Sequence, residues 1–211
     1  MLVGVQAGNG IAVNKSGTPT RVDADSVLRL LWQRILVWGL LETMQALIGT
    51  FWSILRLRAG PQILPTSRFL LALTLLLHWM VGVGLGTFSL APGMALASSL
   101  VGTLMVVAFV NGLLSLRGFG DRTVQTLTAL AGCEVLLGAL AIPLTAWFFA
   151  VPEAQRALPG LLSLLLLGWN IALAGHIFRH ALGVSSGMGL LAALGYIFVS
   201  FALSDFITPA P

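Results

Sequence analysis

Of the 211 residues, 57% are hydrophobic and only 9% are charged, and the mean hydropathy is +0.97. A water-facing surface needs about 25% charged residues, so this composition excludes a soluble globular domain and requires an outside covered by lipid. The net charge of +4 does not indicate nucleic acid, because the basic residues stand singly beside apolar runs and form no solvated stripe.

In chain order, residues 1–22 (MLVGVQAGNGIAVNKSGTPTRV) lack the charged start and apolar core of a secretory signal and read as a mobile tail. Residues 23–60 are expected to form an amphipathic helix on the membrane surface, starting near Asp23 or Asp25, acids suited to a helix N-terminus. Leu28, Leu31, Ile35, Leu36, Leu40, Leu47, Ile54 and Leu55 recur at helical spacing. Arg34, Trp38, Glu42, Gln45, Gly49, Ser53 and Arg56 step along the other side, and Trp32, Trp38 and Trp52 suit the interface. A sixth span at 35–55 with Glu42 buried is the competing reading, disfavoured by that continuous polar stripe.

Residues 61–211 are expected to hold five spans, at 69–90, 93–115, 124–150, 159–179 and 186–207. Each is long enough to cross about 30 Å of hydrocarbon at about 1.5 Å per residue. Pro92 and Pro159 precede or open two of them, where a missing N–H costs least, and Pro143 lies inside the third. The lone cysteine, Cys133, sits within an apolar run, so no intrachain disulfide is possible. The expected fold class is all-α: a polytopic transmembrane helix bundle of about five spans, preceded by an amphipathic interfacial helix.

Five spans place the N-terminal segment and the loops at 116–123 and 179–185 on one side. That side collects Lys15, Arg21, Arg29, Arg34, Arg56, Arg58, Arg68, Arg117, Arg122 and Arg179, against Arg156 alone on the other. Lysine and arginine accumulate in the cytoplasm. The expected localisation is therefore a bacterial inner membrane, N-terminus cytoplasmic and C-terminus on the opposite face. Small residues four apart (Gly82 with Gly86, Ser98 with Gly102, Gly189 with Ala193) mark expected close helix packing.

The approach RLRAGPQILPTSRF, the proline-bearing ALAIPLTAW and the closing LLGWNIALAGHIFRHALGVSSGMGLLAALGYIFVSFAL together resemble the Yip family, polytopic membrane proteins named for binding Ypt/Rab GTPases. The resemblance covers roughly residues 56–207. It implies five spans, a cytoplasmic N-terminus and a non-catalytic role. The acidic N-terminal signatures of the eukaryotic GTPase-binding members are not evident here, so it carries over neither site residues nor a GTPase partner.

Polar side chains inside spans are costly and face the bundle interior, which makes each a functional candidate. Counted from the cytoplasmic boundary, His78, Glu134, Asn170 and Tyr196 all fall about 15–18 Å deep, with Thr103 a little deeper. They form an expected mid-membrane polar cluster, able either to carry protons or cations or to fix helix register. His176, Arg179 and His180 share a helical face near the boundary as an interfacial basic cluster. Two histidines without a carboxylate do not make a zinc site, which normally takes three protein ligands. No phosphate loop, nucleophile elbow or close carboxylate pair appears. The sequence thus points to a non-enzymatic protein without metal or cofactor. The favoured role is an accessory or scaffolding protein that stabilises or recruits partners in the bilayer, associating with other membrane proteins or with itself. The alternative is a small oligomeric transporter or channel using the His/Glu cluster.

Overall fold

The computed structural model describes residues 12–13, 19–20, 29, 32 and 45–207, with the backbone alone at 12–13, 19–20 and 204–207. The chain divides into two compact units, Met1–Leu47 and Ile48–Pro211. In the first, Ala12–Val13 pairs antiparallel with Pro19–Thr20, a two-residue ladder inside the segment expected to be a tail. Arg29 and Trp32 are helical and exposed. The expected helix start at Asp23 or Asp25, and Glu42, lie outside the described residues, as do 208–211.

Helix α1 covers Gln45–Leu55 among the described residues, and residues 35–44 of the competing sixth span at 35–55 lie outside them, whereas five helices are long and apolar enough to cross a membrane. These are α2 (Arg68–Gly86), α3 (Pro92–Leu116), α4 (Thr123–Ala150), α5 (Ala157–Leu182) and α6 (Ser186–Ile207). Between 6% and 44% of each span's residues are buried within the protein, so most of every helix surface faces outward. Those surfaces carry Phe69, Leu116, Leu164 and Phe198 largely exposed, as a lipid-facing exterior requires. The protein is an integral membrane protein.

Local chemistry sets the helix ends. Ser67 caps α2 by accepting from the Leu70 N–H at 3.2 Å. Pro92 occupies the first turn of α3, and α5 stops at Gly183, whose φ of 63° favours glycine. Helix α2 ends at Gly86, four residues before the expected 90, because Thr87–Leu90 fold back as a turn onto the Val83, Leu85 and Gly86 carbonyls.

The spans form a ring in the order α3, α2, α4, α5, α6, closed by contact between α6 and α3. Two crossings are close. At Gly189 an added methyl group would lie 2.5 Å from the Gly175 carbonyl oxygen and 2.9 Å from the Arg179 nitrogen, and Ala193 beyond it is fully buried. Gly82 and Gly86 meet Ser99 and Ala95. Ser98 and Gly102 do not join that crossing: nothing approaches a methyl at Gly102 within 4 Å, and both residues line a cavity between helices instead.

Packing is uneven along the bundle. The near end, where α2 begins, contains the fully buried Leu127, Leu130, Ile177 and Phe178 and the α3 residues Val110 and Leu114. Toward the far end the buried residues thin out: α4 has none after Gly138, and α5 none between Pro159 and Leu173.

The chain leading into α2 completes the near-end core. Phe51, Ile54 and Leu55 of α1 turn inward, with Ile54 fully buried, while Ile48, Trp52 and Arg56 stay exposed. The segment is thus amphipathic, but its last part packs into the bundle rather than lying on the outside. Helix α1 ends in a Schellman motif: Arg58 N–H donates to Ser53 O at 3.0 Å and Leu57 N–H to Ile54 O at 2.8 Å. Leu57 takes the left-handed position with φ of 59°. Residues 55–64 then run as a strap along α5 toward its end.

Non-helical backbone at membrane depth survives only where protein satisfies its polar groups; three side chains, Trp169, His176 and Gln125, do so here, and Gln62 of the strap bonds back to α5. The Trp169 indole N–H donates to Leu55 O at 3.2 Å and His176 Nε2 to Ala59 O at 3.0 Å. Gln62 donates to His180 O at 2.9 Å, and Gln125 to Leu64 O at 2.7 Å. Taking about 1.5 Å per residue, Trp169 stands about 20 Å from the Leu182 end of α5, so the strap begins near mid-bundle.

Candidate functional site

The ring of helices brings the expected mid-membrane residues to one place. Glu134 of α4, only 10% exposed, turns toward the bundle axis, and His78 of α2 sets Nε2 3.0 Å from its Oε2. Tyr196 of α6 donates its hydroxyl proton to Glu134 Oε1 at 3.1 Å. On the other side of the imidazole, Nδ1 lies 3.0 Å from the Thr103 hydroxyl of α3. Four helices are thus joined through one carboxylate and one imidazole.

The hydrogen-bond partners favour one tautomer of His78. The single hydroxyl proton of Thr103 goes to the Ser99 carbonyl at 2.9 Å, so Thr103 Oγ1 is left as an acceptor and His78 Nδ1 must be a donor. A neutral imidazole with its proton on Nδ1 presents a lone pair at Nε2. Oε2 of Glu134 lies 3.0 Å from that nitrogen, close enough for an unprotonated imidazole and a carboxylate to repel. One proton shared by the pair, as imidazolium and carboxylate or as imidazole and carboxylic acid, relieves that repulsion. Oε2 meets ion-pair distance but lies off the hydrogen-bond axis, leaving it a buried oxygen without a well-directed donor.

This pair stands in the wall of a cavity of about 380 Å³ bounded by α2, α4, α5 and α6. His78, Glu134, Tyr196 and Asn170 sit at one depth, and the cavity continues past Leu85 and Leu144 to Thr145 and Ser163 toward the far end. The walls are mostly aliphatic, with a few convergent polar groups, and the volume lies within the roughly 300–1,000 Å³ usual for small-ligand sites. Asn170 makes no side-chain hydrogen bond among the described residues and lines the cavity. Below the polar level lies the near-end core, with Leu127, Leu130, Ile177 and Phe178 buried.

The interfacial cluster has a different surrounding from that expected. His176 and His180 stack edge to face with centroids 4.5 Å apart, and both are taken up by the strap, His176 through Ala59 and His180 through Gln62 and Gly60. Arg179 stays exposed. Cys133 directs its thiol toward the Phe51 carbonyl, 4.0 Å away, and is fully buried.

Sequence reasoning placed the four cavity residues at one depth but missed their connection through Ser99 and the strap's supports at Trp169 and Gln125. The spacing of Ser99 and Thr103, one helical turn apart, was the available signal for the first. In comparisons with known families, curated proteins and solved structures, nothing matches the chain.

Proposed function

We propose that the protein is a small membrane transport protein that takes solutes into an intramembrane cavity and couples their binding to a proton held by His78 and Glu134. One observation carries this reading: the His78–Glu134 pair forms part of a cavity wall instead of being enclosed in packed core. A polar network that only fixed helix register would be best placed in the dry near-end core. This one faces open space, beside an amide with no partner among the described residues.

The proposal moves ahead of the accessory or scaffolding role that the sequence favoured, since a scaffold needs no exchangeable proton beside a cavity. It keeps the other expectations as part of the reading: a non-catalytic protein of the bacterial inner membrane, N-terminus cytoplasmic, self-associated or with membrane partners. The resemblance to the Yip family bears on the architecture and adds nothing about the cavity.

The test is flux across liposomes containing the purified protein, read with an internal pH dye under an imposed pH gradient. Proton movement above that of empty liposomes on adding an external solute supports transport. Equal background rates for wild type and Glu134→Gln with every solute tried would sink it.

A further inference from the structure

The charge balance of the site narrows what can occupy it. An unpaired charge in a low-dielectric interior is very unfavourable, so the site must stay close to neutral in every populated state. With its proton the His78–Glu134 pair is neutral, and Tyr196 adds a neutral hydroxyl that donates to the carboxylate. Without the proton the same groups carry one negative charge. A ligand that takes the proton's place must therefore bring one positive charge; an anion would leave the site doubly negative and a divalent cation would leave it positive.

The surroundings agree from every side. Of the residues lining the cavity, only His78, Glu134 and Tyr196 have ionisable side chains. Helix α5 contributes the amide of Asn170, α3 meets the pair through the Thr103 hydroxyl, and the Cys133 thiol turns away to Phe51. Beyond the polar level the walls are Val81, Leu85, Leu137, Leu144 and Leu166, which favour an apolar body over a hydrated ion.

Resting on the transport reading above, we infer that the cavity binds a monovalent organic cation with a compact apolar group, such as a primary amine in its ammonium form, in one-for-one exchange for the proton shared by His78 and Glu134. The ammonium group sits against Glu134 and the Asn170 carbonyl oxygen. The displaced proton leaves to water. His78 remains a neutral imidazole with its proton on Nδ1, held by Thr103, so the site passes between two neutral states.

Three probes of one shape separate the possibilities: benzylammonium, benzyl alcohol and benzoate. Binding to detergent-purified full-length protein is measured by equilibrium dialysis, and proton release by a pH indicator in weakly buffered solution. The expected result is saturable benzylammonium binding with release of one proton per molecule bound, and little binding of the other two. Glu134→Gln, which preserves shape, should lose both signals while remaining monodisperse. Asn170→Ala should keep the proton release but weaken binding about tenfold, the effect of losing one hydrogen bond to a charged group. Saturable binding of benzyl alcohol or benzoate with no proton release would overturn the cation exchange and leave the cavity reading standing. Failure of all three probes to bind would overturn both.

Discussion

Ser99 and His78 are linked through the hydroxyl of Thr103. The Ser99 carbonyl takes the Thr103 hydroxyl proton at 2.9 Å, and the hydroxyl oxygen then accepts from Nδ1 at 3.0 Å. On the far side of the ring, His78 Nε2 lies 3.0 Å from Glu134 Oε2.

The tautomer can be tested directly. Thr103→Val keeps the shape of the side chain but removes the acceptor for Nδ1. With nitrogen-15-labelled histidine, the His78 signals (assigned by their loss in His78→Gln) should report a protonated Nδ1 in the wild type and a changed pattern in Thr103→Val. The buried donor left without a partner should also lower stability by about 1–3 kcal/mol. An unchanged His78 spectrum in the variant would show that Thr103 does not set the proton.

Glu134→Gln is expected to be structurally mild. The amide oxygen can still accept from Tyr196, and the amide nitrogen can donate to His78 Nε2, which is then a simple acceptor. The substitution also removes a charge that is costly inside a membrane. The melting temperature in detergent should hold or rise, measured by tryptophan fluorescence. A fall of many degrees would mean that the ion pair is needed for folding.

How much of this was legible in sequence depends on the kind of information. The five spans follow from hydropathy and length, and their ends fell within a few residues except where Thr87–Leu90 fold back. The common depth of His78, Glu134, Asn170 and Tyr196 follows from the fixed rise of a helix. Which helices stand beside one another does not follow, because lipid-facing helices are apolar all round and their pattern does not mark an inner face. The small residues showed that limit: Gly82 and Gly86 do pack closely, against Ser99 and Ala95, whereas nothing approaches a methyl group at Gly102. The strap was illegible for another reason. The sequence around Leu57 offers no glycine for the left-handed residue that ends α1, and the donors holding the strap come from α4 and α5, far along the chain.

Those donors yield a third prediction. Trp169→Phe keeps the ring but deletes the N–H that binds Leu55 O, leaving a carbonyl unsatisfied at membrane depth. The loss should be about 1–2 kcal/mol, and a cysteine placed at Ala59 should react faster with a maleimide than in the Trp169 background. Fully buried Cys133 does not compete. Identical labelling rates would show that the strap holds without Trp169.

Two glycines in the bundle should respond in opposite directions to the same change. At Gly189 a methyl group meets the backbone of α5 at 2.5 Å and 2.9 Å, and backbone cannot yield without moving the α5–α6 pair. Gly189→Ala should cost about 1–3 kcal/mol. At Gly112 nothing lies within 4 Å, so Gly112→Ala gains helix propensity and should be neutral or stabilising by up to about 1 kcal/mol. Melting in the same detergent compares them, and equal effects would contradict the close α5–α6 crossing.

The last prediction concerns sidedness, on which transport depends. The cavity reaches Thr145 and Ser163 toward the far end, while Thr126 lies fully buried in the near-end core. Cysteines at these positions should therefore differ: Ser163→Cys and Thr145→Cys should react with a small membrane-impermeant thiol reagent, and Thr126→Cys should not. Ser185, in the turn before α6, reports the opposite end of the bundle. If lysine and arginine mark the cytoplasmic side, Ser185→Cys should react only in inverted vesicles and Ser163→Cys only in intact spheroplasts. Benzylammonium should slow the reaction at Ser163 and leave Ser185 unaffected, because only the first lies in the cavity wall. Reaction of both cysteines from the same side would break the five-span arrangement. Protection of neither by benzylammonium would place that cation outside the cavity.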